Sequence, residues 1–287
     1  ACLYKCFAME KRPLDVCVIS DVHLGTFGCH SRELNEYLKS IDPKTIVLNG
    51  DIIDIWNFRK NYFPKSHIKV IRTLLKLAAN GTEIHYITGN HDEALRRFSG
   101  FEMGNIQLEN KLVLELNGKK NWFFHGDVFD VSIQQAKFIA KLGGWGYDLL
   151  IWINRLINIY LEKRGKEKYS LSKRIKDSVK KAVKFINDFE NVAAELAIEN
   201  GYDYVICGHI HQPQIRSVKN SKGQTIYMNS GDWVENLSAL EYSNGKWSLY
   251  SHPSTMPDDD DDDDSFDLTI SPDSILKHIV HNRPKSA

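Results

Sequence analysis

The chain has 287 residues, 42% hydrophobic and 11% aromatic, with 37 Lys and Arg against 37 Asp and Glu; such a composition excludes a disordered chain and argues against a general polyanion binder. The neutrality is uneven: residues 251–287 carry nine Asp against three basic side chains, and residues 129–190 carry thirteen basic against seven acidic ones. The longest apolar stretch, 144–161, is interrupted by Asp148, Asn154, Arg155 and Asn158, which argues against a membrane-spanning helix, since one needs about 18 or more apolar residues.

Along the chain, residues 1–15 read as an N-terminal extension. Residues 1–9 lack the basic flank and apolar core of a signal peptide, and translation is expected to start at Met9. Cys2, Cys6, Cys17, Cys29 and Cys207 form an odd set with no CxxC pair, so a reducing, cytoplasmic compartment is expected. The runs 16–20 (VCVIS), 45–49 (TIVLN), 83–88 (EIHYIT), 121–124 (NWFF) and 204–207 (YVIC) are short and apolar and stop at small or polar residues, as buried strands do. Between the first three, Leu34, Tyr37, Leu38 and Ile41, then Ile68, Ile71, Leu74, Leu75 and Leu77, follow helical spacing, with Gly81 as a stop. The pattern predicts an α/β domain over 16–250 whose ligands sit at the carboxyl ends of the strands.

Residues 130–200 show no strand signal and read as a helical cap insertion, with Ile175, Val179, Val183 and Ile186 at helical spacing. After Cys207, strands are expected at 215–219, 225–229, 237–242 and 247–250, forming a second, largely antiparallel sheet. Residues 251–287, with Asp258 to Asp264 as an unbroken acidic run, read as a flexible tail.

The predicted strands end in one recurring chemistry: Asp21-Val22-His23, Gly50-Asp51, Gly89-Asn90-His91-Asp92, His125-Gly126-Asp127 and Gly208-His209-Ile210-His211. Asp, His and Asn are oxygen and nitrogen ligands for divalent metals. In Asp-x-His and His-x-His a period of two puts both side chains on one side, so each pair can converge on one ion. Any one of these pairs alone is usually structural; five in succession, each after a strand, point to a metal site.

This set resembles the calcineurin-like metallophosphoesterase superfamily over residues 16–250. The resemblance implies a two-sheet sandwich flanked by helices and two divalent ions, with Mn²⁺ preferred and Fe or Zn as alternatives. Carried over by position, Asp21, His23, Asp51 and His211 would hold the first ion, and Asp51, Asn90, His125 and His209 the second, with Asp51 bridging. Such a pair lowers the pKa of a bridging water so that it can attack phosphorus in line. His91 would then act as general acid or transition-state donor, an imidazole being suited to proton transfer at neutral pH, with Asp92 fixing its tautomer; the alternative is a structural residue. Asp127 and Asp232 are candidates to orient ligand histidines, or simply turn residues.

Within the superfamily, SDVHLG (20–25), NGDIIDIW (49–56), TGNHDE (88–93), FHGDVFD (124–130) and GHIHQP (208–213) are similar to the UDP-2,3-diacylglucosamine pyrophosphohydrolase family of lipid A biosynthesis. That family carries Arg after the metal-binding Asn, where this chain has His91, as other branches of the superfamily do. The resemblance implies hydrolysis of a lipid-linked nucleotide sugar to UMP and a lipid monophosphate. Asn57, Arg59, Lys60, Arg96 and Arg97 are candidate phosphate or sugar contacts. In the insertion, the apolar segment around Trp145, Trp152 and Leu156 precedes a basic run that includes Lys173, Lys176 and Lys180. Together these could bind acyl chains and phosphates or rest peripherally on an anionic membrane; the alternative is plain packing and solvation. A phosphodiesterase, nuclease or protein phosphatase of the same superfamily stays open, as does a non-catalytic scaffold. A nucleic-acid partner is not expected, because the basic excess is confined to one segment. A scaffold would be expected to lack ligands, and every ligand position is filled.

Overall fold

The structure, a computed structural model, describes residues 11–55, 62–132, 186 and 188–253. The chain divides into two units, one made of 1–125 with 197–287 and the other of 126–196. In the larger unit β1 (Arg12–Ile19), α1 (Ser31–Ser40), β2 (Ile41–Asn49), α2 (Lys65–Ala79) and β3 (Glu83–Ile87) alternate as expected. They are followed by β4 (Glu102–Met103), β5 (Ile106–Glu109), β6 (Leu112–Leu116) and β7 (Lys119–Phe123), then by β8 (Tyr204–Cys207), β9 (Gln214–Lys219), β10 (Gln224–Asn229), β11 (Ser238–Ser243) and β12 (Lys246–Ser251). One sheet has the order β12-β11-β1-β2-β3-β5-β4 and the other β6-β7-β8-β10-β9.

The second half of the first strand, residues 16–19, shows why its sequence is apolar. Cys17 and Ile19 join Ile46, Leu48 and Ile84 in one core, with Leu34, Tyr37 and Leu38 of α1 and Val70, Leu74 and Leu77 of α2. Val16 and Val18 belong to a second core, with Val47, Ile87, Phe123, Ile206 and Met228 of the two sheets. Successive strand residues face opposite ways, and because both faces are covered no polar residue interrupts the run. Each fully buried aliphatic side chain contributes about 1.5–3 kcal/mol, and Val18→Asp would place an unpaired carboxylate between the sheets. In α1 the buried positions Leu34, Tyr37 and Leu38 lie one turn apart, while Glu33 in the first turn and Lys39 in the last suit the helix dipole.

The structure differs from the sequence reading in several places. Ile41, expected on the first helix, is the first residue of β2, which therefore begins four residues before the expected Thr45. The strands after Cys207 do not make one antiparallel sheet. β9 and β10 extend the sheet begun by β6 and β7, whereas β11 returns to pair antiparallel with β1 and carries β12 with it. The second sheet is therefore mixed, with β8 parallel to both β7 and β10. β4, β5 and β6 went unread because they are short, β4 is exposed and the other two are largely half-buried or exposed, and each carries a glutamate, Glu102, Glu109 and Glu115. β1 starts earlier, at Arg12, whose guanidinium grips both oxygens of Glu241 on β11 at 2.9 and 2.8 Å. Leu75, expected on the buried stripe of α2, is 47% exposed.

The smaller unit holds a 3₁₀ turn over Asp127–Ser132 and most of a helix over 188–199. The rest of the insertion, including Trp145, Trp152 and Ile175 to Val183, and the tail beyond 253 lie outside the described residues, as do Cys2 and Cys6. Cys17, Cys29 and Cys207 form no disulfide among the described residues. Among the described residues no helix is long and apolar enough to cross a membrane.

Candidate active site

Beyond the carboxyl ends of β1, β2, β3, β7 and β8 the chain turns, and the chemistry is concentrated in those turns, where open α/β sheets place their ligands. The segment after β1 is clamped to the segment after β2 by backbone bonds. Asp21 N donates to Gly50 O, Val22 N and His23 N to Asp51 O (each 3.0 Å), and Leu24 N to Ile52 O at 2.9 Å. Val22, between the two polar residues, is buried.

The backbone there is not extended, which corrects the period-two argument for Asp-x-His and His-x-His. Asp21, His23, Asp51, His209 and His211 have φ of 52°, 55°, 54°, 68° and 53°. Left-handed backbone costs a non-glycine residue about 1–2 kcal/mol, so five such residues persist only because the surrounding structure holds them, as happens at functional sites. Neighbouring glycines make room: a Cβ on Gly89 would strike Asp51 Oδ1 and approach His125 Cδ2 to 2.7 Å, and one on Gly208 would lie 2.6 Å from Asp21 Oδ2.

Asp21 and Asp51 are fully buried. Asp21 Oδ2 accepts from His209 N at 2.9 Å and Asp51 Oδ1 from His91 N at 2.8 Å. Their other oxygens, Asp21 Oδ1 and Asp51 Oδ2, are buried without a hydrogen bond among the described residues. These face His211 Nε2 at 3.1 Å and His125 Nε2 at 3.3 Å. Burial by itself would raise the pKa of Asp21, but the positive charge available from His211, His125 and His23 outweighs it and holds the carboxyl well below the usual range. Asp51 is lowered in the same way, burial being overcome chiefly by His125 while Asp21 opposes. His125 Nδ1 donates to the Asn49 carbonyl at 2.9 Å, which fixes the tautomer and aims Nε2 at Asp51.

Three overlapping groups result, Asp21–His23–His211, His23–Asp51–His91 and Asp51–His125–His209, each with ligand atoms within 4.8 Å of one another. Asn90 lies in the same loop, between Gly89 and His91. A mixed His and Asp set without Cys, with two buried carboxylate oxygens turned inward, fits divalent cations such as Mn²⁺, Fe²⁺ or Zn²⁺.

His91 is partly open to solvent, with 22% of its side chain exposed. Its tautomer partner is not Asp92, as sequence adjacency suggests, but Asp54: Asp54 Oδ1 lies 3.1 Å from His91 Nδ1, and Oδ2 lies 3.5 Å from His23 Nδ1. Asp92 is turned inward, where it accepts from Gly89 N at 2.6 Å, Ile52 N at 3.0 Å and the Tyr86 hydroxyl at 2.6 Å. It is a brace between the loops after β2 and β3, and burial together with nearby Asp51 raises its pKa. Asp54 stands in the quoted run NGDIIDIW; its position three residues after Asp51 was the available signal.

Arg96 donates to Thr88 Oγ1 and to the Gly89 carbonyl, both at 3.4 Å, so it supports the loop that carries Asn90. Arg97 covers the Phe98 ring at 4.8 Å. Asp232 Oδ1 caps the amides of Val234, Glu235 and Asn236, and its Oδ2 lies 3.7 Å from His211 Nδ1. Asp127 opens the 3₁₀ turn. Asn57, Arg59, Lys60, Lys173, Lys176 and Lys180 lie outside the described residues.

A two-sheet sandwich whose strand ends gather Asp and His around buried, inward-facing carboxylates defines a metal-dependent phosphoesterase. The chain belongs to the calcineurin-like phosphoesterase family, whose sequence pattern matches residues 14–213. Similar proteins include the UDP-2,3-diacylglucosamine hydrolase of Aliivibrio fischeri, 25% identical over 83% of this chain and 98% of its own. That of Blochmanniella pennsylvanica is 27% identical over 73% of this chain and 84% of its own. Among solved structures, an archaeal phosphodiesterase aligns over 82% of this chain and 98% of its own at 12% identity, with a TM-score of 0.42, a likeness too loose to carry an argument.

Proposed function

We propose that the protein is a dinuclear pyrophosphate hydrolase that cleaves a UDP-2,3-diacylglucosamine-like substrate to UMP and a lipid monophosphate. The observation that carries the reading is the pair of buried oxygens, Asp21 Oδ1 and Asp51 Oδ2, turned into a ring of histidines without a hydrogen bond among the described residues. Burying two carboxylates this way is costly unless a cation compensates. Asp21, His23, Asp51 and His211 would hold one ion, and Asp51, Asn90, His125 and His209 the other. When bound, such ions supply Lewis-acid activation of water and neutralise phosphate charge.

The chain's own side chains do the rest. His91 Nε2 lies 4.0 Å from Asp51 Oδ2, on the side of the cluster, while its other nitrogen lies 3.1 Å from Asp54 Oδ1. Asp54 keeps the proton on Nδ1 and stabilises the imidazolium, so Nε2 is the atom that gives its proton to the leaving oxygen. Asp92 and Arg96 keep the 89–91 loop in place. The substrate class is supported by the motif runs and by relatives named for that hydrolysis. Lys173, Lys176 and Lys180, with Asn57 and Arg59, remain proposed contacts for phosphate and sugar. We place the enzyme in the cytoplasm, peripheral to an anionic membrane surface through its basic insertion.

A direct test offers the Mn²⁺-loaded protein UDP-2,3-diacylglucosamine, a cyclic nucleotide, an oligonucleotide and a phosphopeptide. Release of UMP from the first, at a rate well above hydrolysis of the others, is expected. Preference for any of the other three would reject the substrate, and no hydrolysis at all would reject the site.

A further inference from the structure

Phe27 is 71% exposed, the most exposed large apolar side chain among the described residues. It is not isolated: its ring lies on that of Tyr62, centroids 3.7 Å apart and planes inclined by 34°. Two tethers fix this pair to the site. Thr26 closes a turn on the carbonyl of His23 through its amide at 3.2 Å and its hydroxyl at 2.9 Å. Such a turn keeps the Phe27 Cα within about 11 Å of the His23 Cα. On the other side Gly25 N donates to His67 Nδ1 at 2.9 Å, and the His67 ring stands edge-on to Tyr62 and to Phe63, at 6.1 and 5.5 Å. An apolar surface is thus held in the open, on a rigid mount, beside the proposed phosphate site.

From these observations we infer that Phe27 and Tyr62 are the platform on which the nucleobase of the substrate stacks. This rests on the nucleotide-substrate reading above. A base is a planar partner that any aromatic face can take, and in a nucleotide it is separated from the scissile phosphates by little more than a ribose, a span within the upper limit of about 11 Å that the turn sets from His23. An acyl chain, by contrast, needs an enclosing apolar groove, whereas the pair offers a ring face.

The test is calorimetric binding of UMP and of ribose 5-phosphate, its base-free counterpart, to the Mn²⁺-loaded protein. Wild-type protein is expected to prefer UMP by about 5- to 150-fold, the range of one base–aromatic stack. Phe27→Ala should erase that preference and leave ribose 5-phosphate binding unchanged, and Phe27→Trp should keep it. The inference is overturned if Phe27→Ala keeps the preference, if both ligands weaken equally, or if wild-type protein binds UMP no better than ribose 5-phosphate. UMP release from the lipid-linked nucleotide is scored separately. Base preference without that hydrolysis would reject the substrate reading and keep the platform, and hydrolysis without base preference would do the reverse.

Discussion

Two polar clusters, both reaching the sheet that contains β1, treat charge in opposite ways. In the first, Glu241 is clasped by Arg12 through both oxygens and also accepts from the Tyr37 hydroxyl at 2.9 Å, which in turn lies 3.2 Å from Cys17 Sγ. Its carboxylate oxygens are all satisfied by the chain. In the second, Asp21 and Asp51, both on left-handed backbone, each keep one oxygen without a hydrogen bond among the described residues and turn it toward a histidine, His211 and His125 respectively. A carboxylate that holds a fold together finds its partners within the fold, whereas one that serves chemistry is left for a partner that the polypeptide does not contain.

This contrast can be broken experimentally, beginning with the largest effect. Asp51→Ala should abolish phosphoester hydrolysis and lower bound metal, measured by inductively coupled plasma mass spectrometry, from two ions to one or none; retained activity would remove Asp51 from the centre of the site. His91→Ala should lower kcat by about 100-fold or more with metal content unchanged, as expected of a general acid, the loss being greatest on poor leaving groups. Asp54→Asn should lower activity by about 10- to 100-fold, the usual cost of losing an orienting partner; unchanged activity would show that Asp54 only packs.

The other cluster should respond the opposite way. Glu241→Gln is expected to cost about 1–3 kcal/mol of stability, read by urea denaturation, because the Arg12 and Tyr37 contacts weaken, while kcat stays within a factor of two. A smaller effect concerns His67, whose pKa burial lowers to about 4. The unfolded chain takes up that proton near pH 6.5 and the native state only near 4, so the contribution of His67 is whole above pH 6.5 and is lost as pH falls through 4. The stability advantage of wild type over His67→Gln should shrink across that window; a constant difference would contradict a neutral, buried imidazole accepting from Gly25.

Much of the site was legible because ligand types stand next to strand ends, and strand ends are visible as places where apolar runs stop. Asp21, His23, Asp51, His125, His209 and His211 follow from that rule alone. Asp54 did not, since it lies in the same run as Asp51 and only the folded loop puts its carboxylate between His23 and His91. Asp92 was misread for the complementary reason: adjacency in sequence says nothing about which way two successive side chains turn once the backbone leaves the strand. The aromatic pair was likewise invisible, because Phe27 and Tyr62 belong to different loops.

What the sequence determined by itself is whatever is encoded within a few residues: the doubly buried strands, the amphipathic stripe of α1, and the chemical type at each strand end. What only the tertiary structure decided is pairing across long separations. β11 and β12 return to the first sheet, and Arg12 meets Glu241 across 229 residues. Asp54 rather than Asp92 becomes the partner of His91. Local periodicity is set by backbone geometry that every segment obeys alone, whereas these pairings depend on which surfaces remain unburied after the rest of the chain has packed.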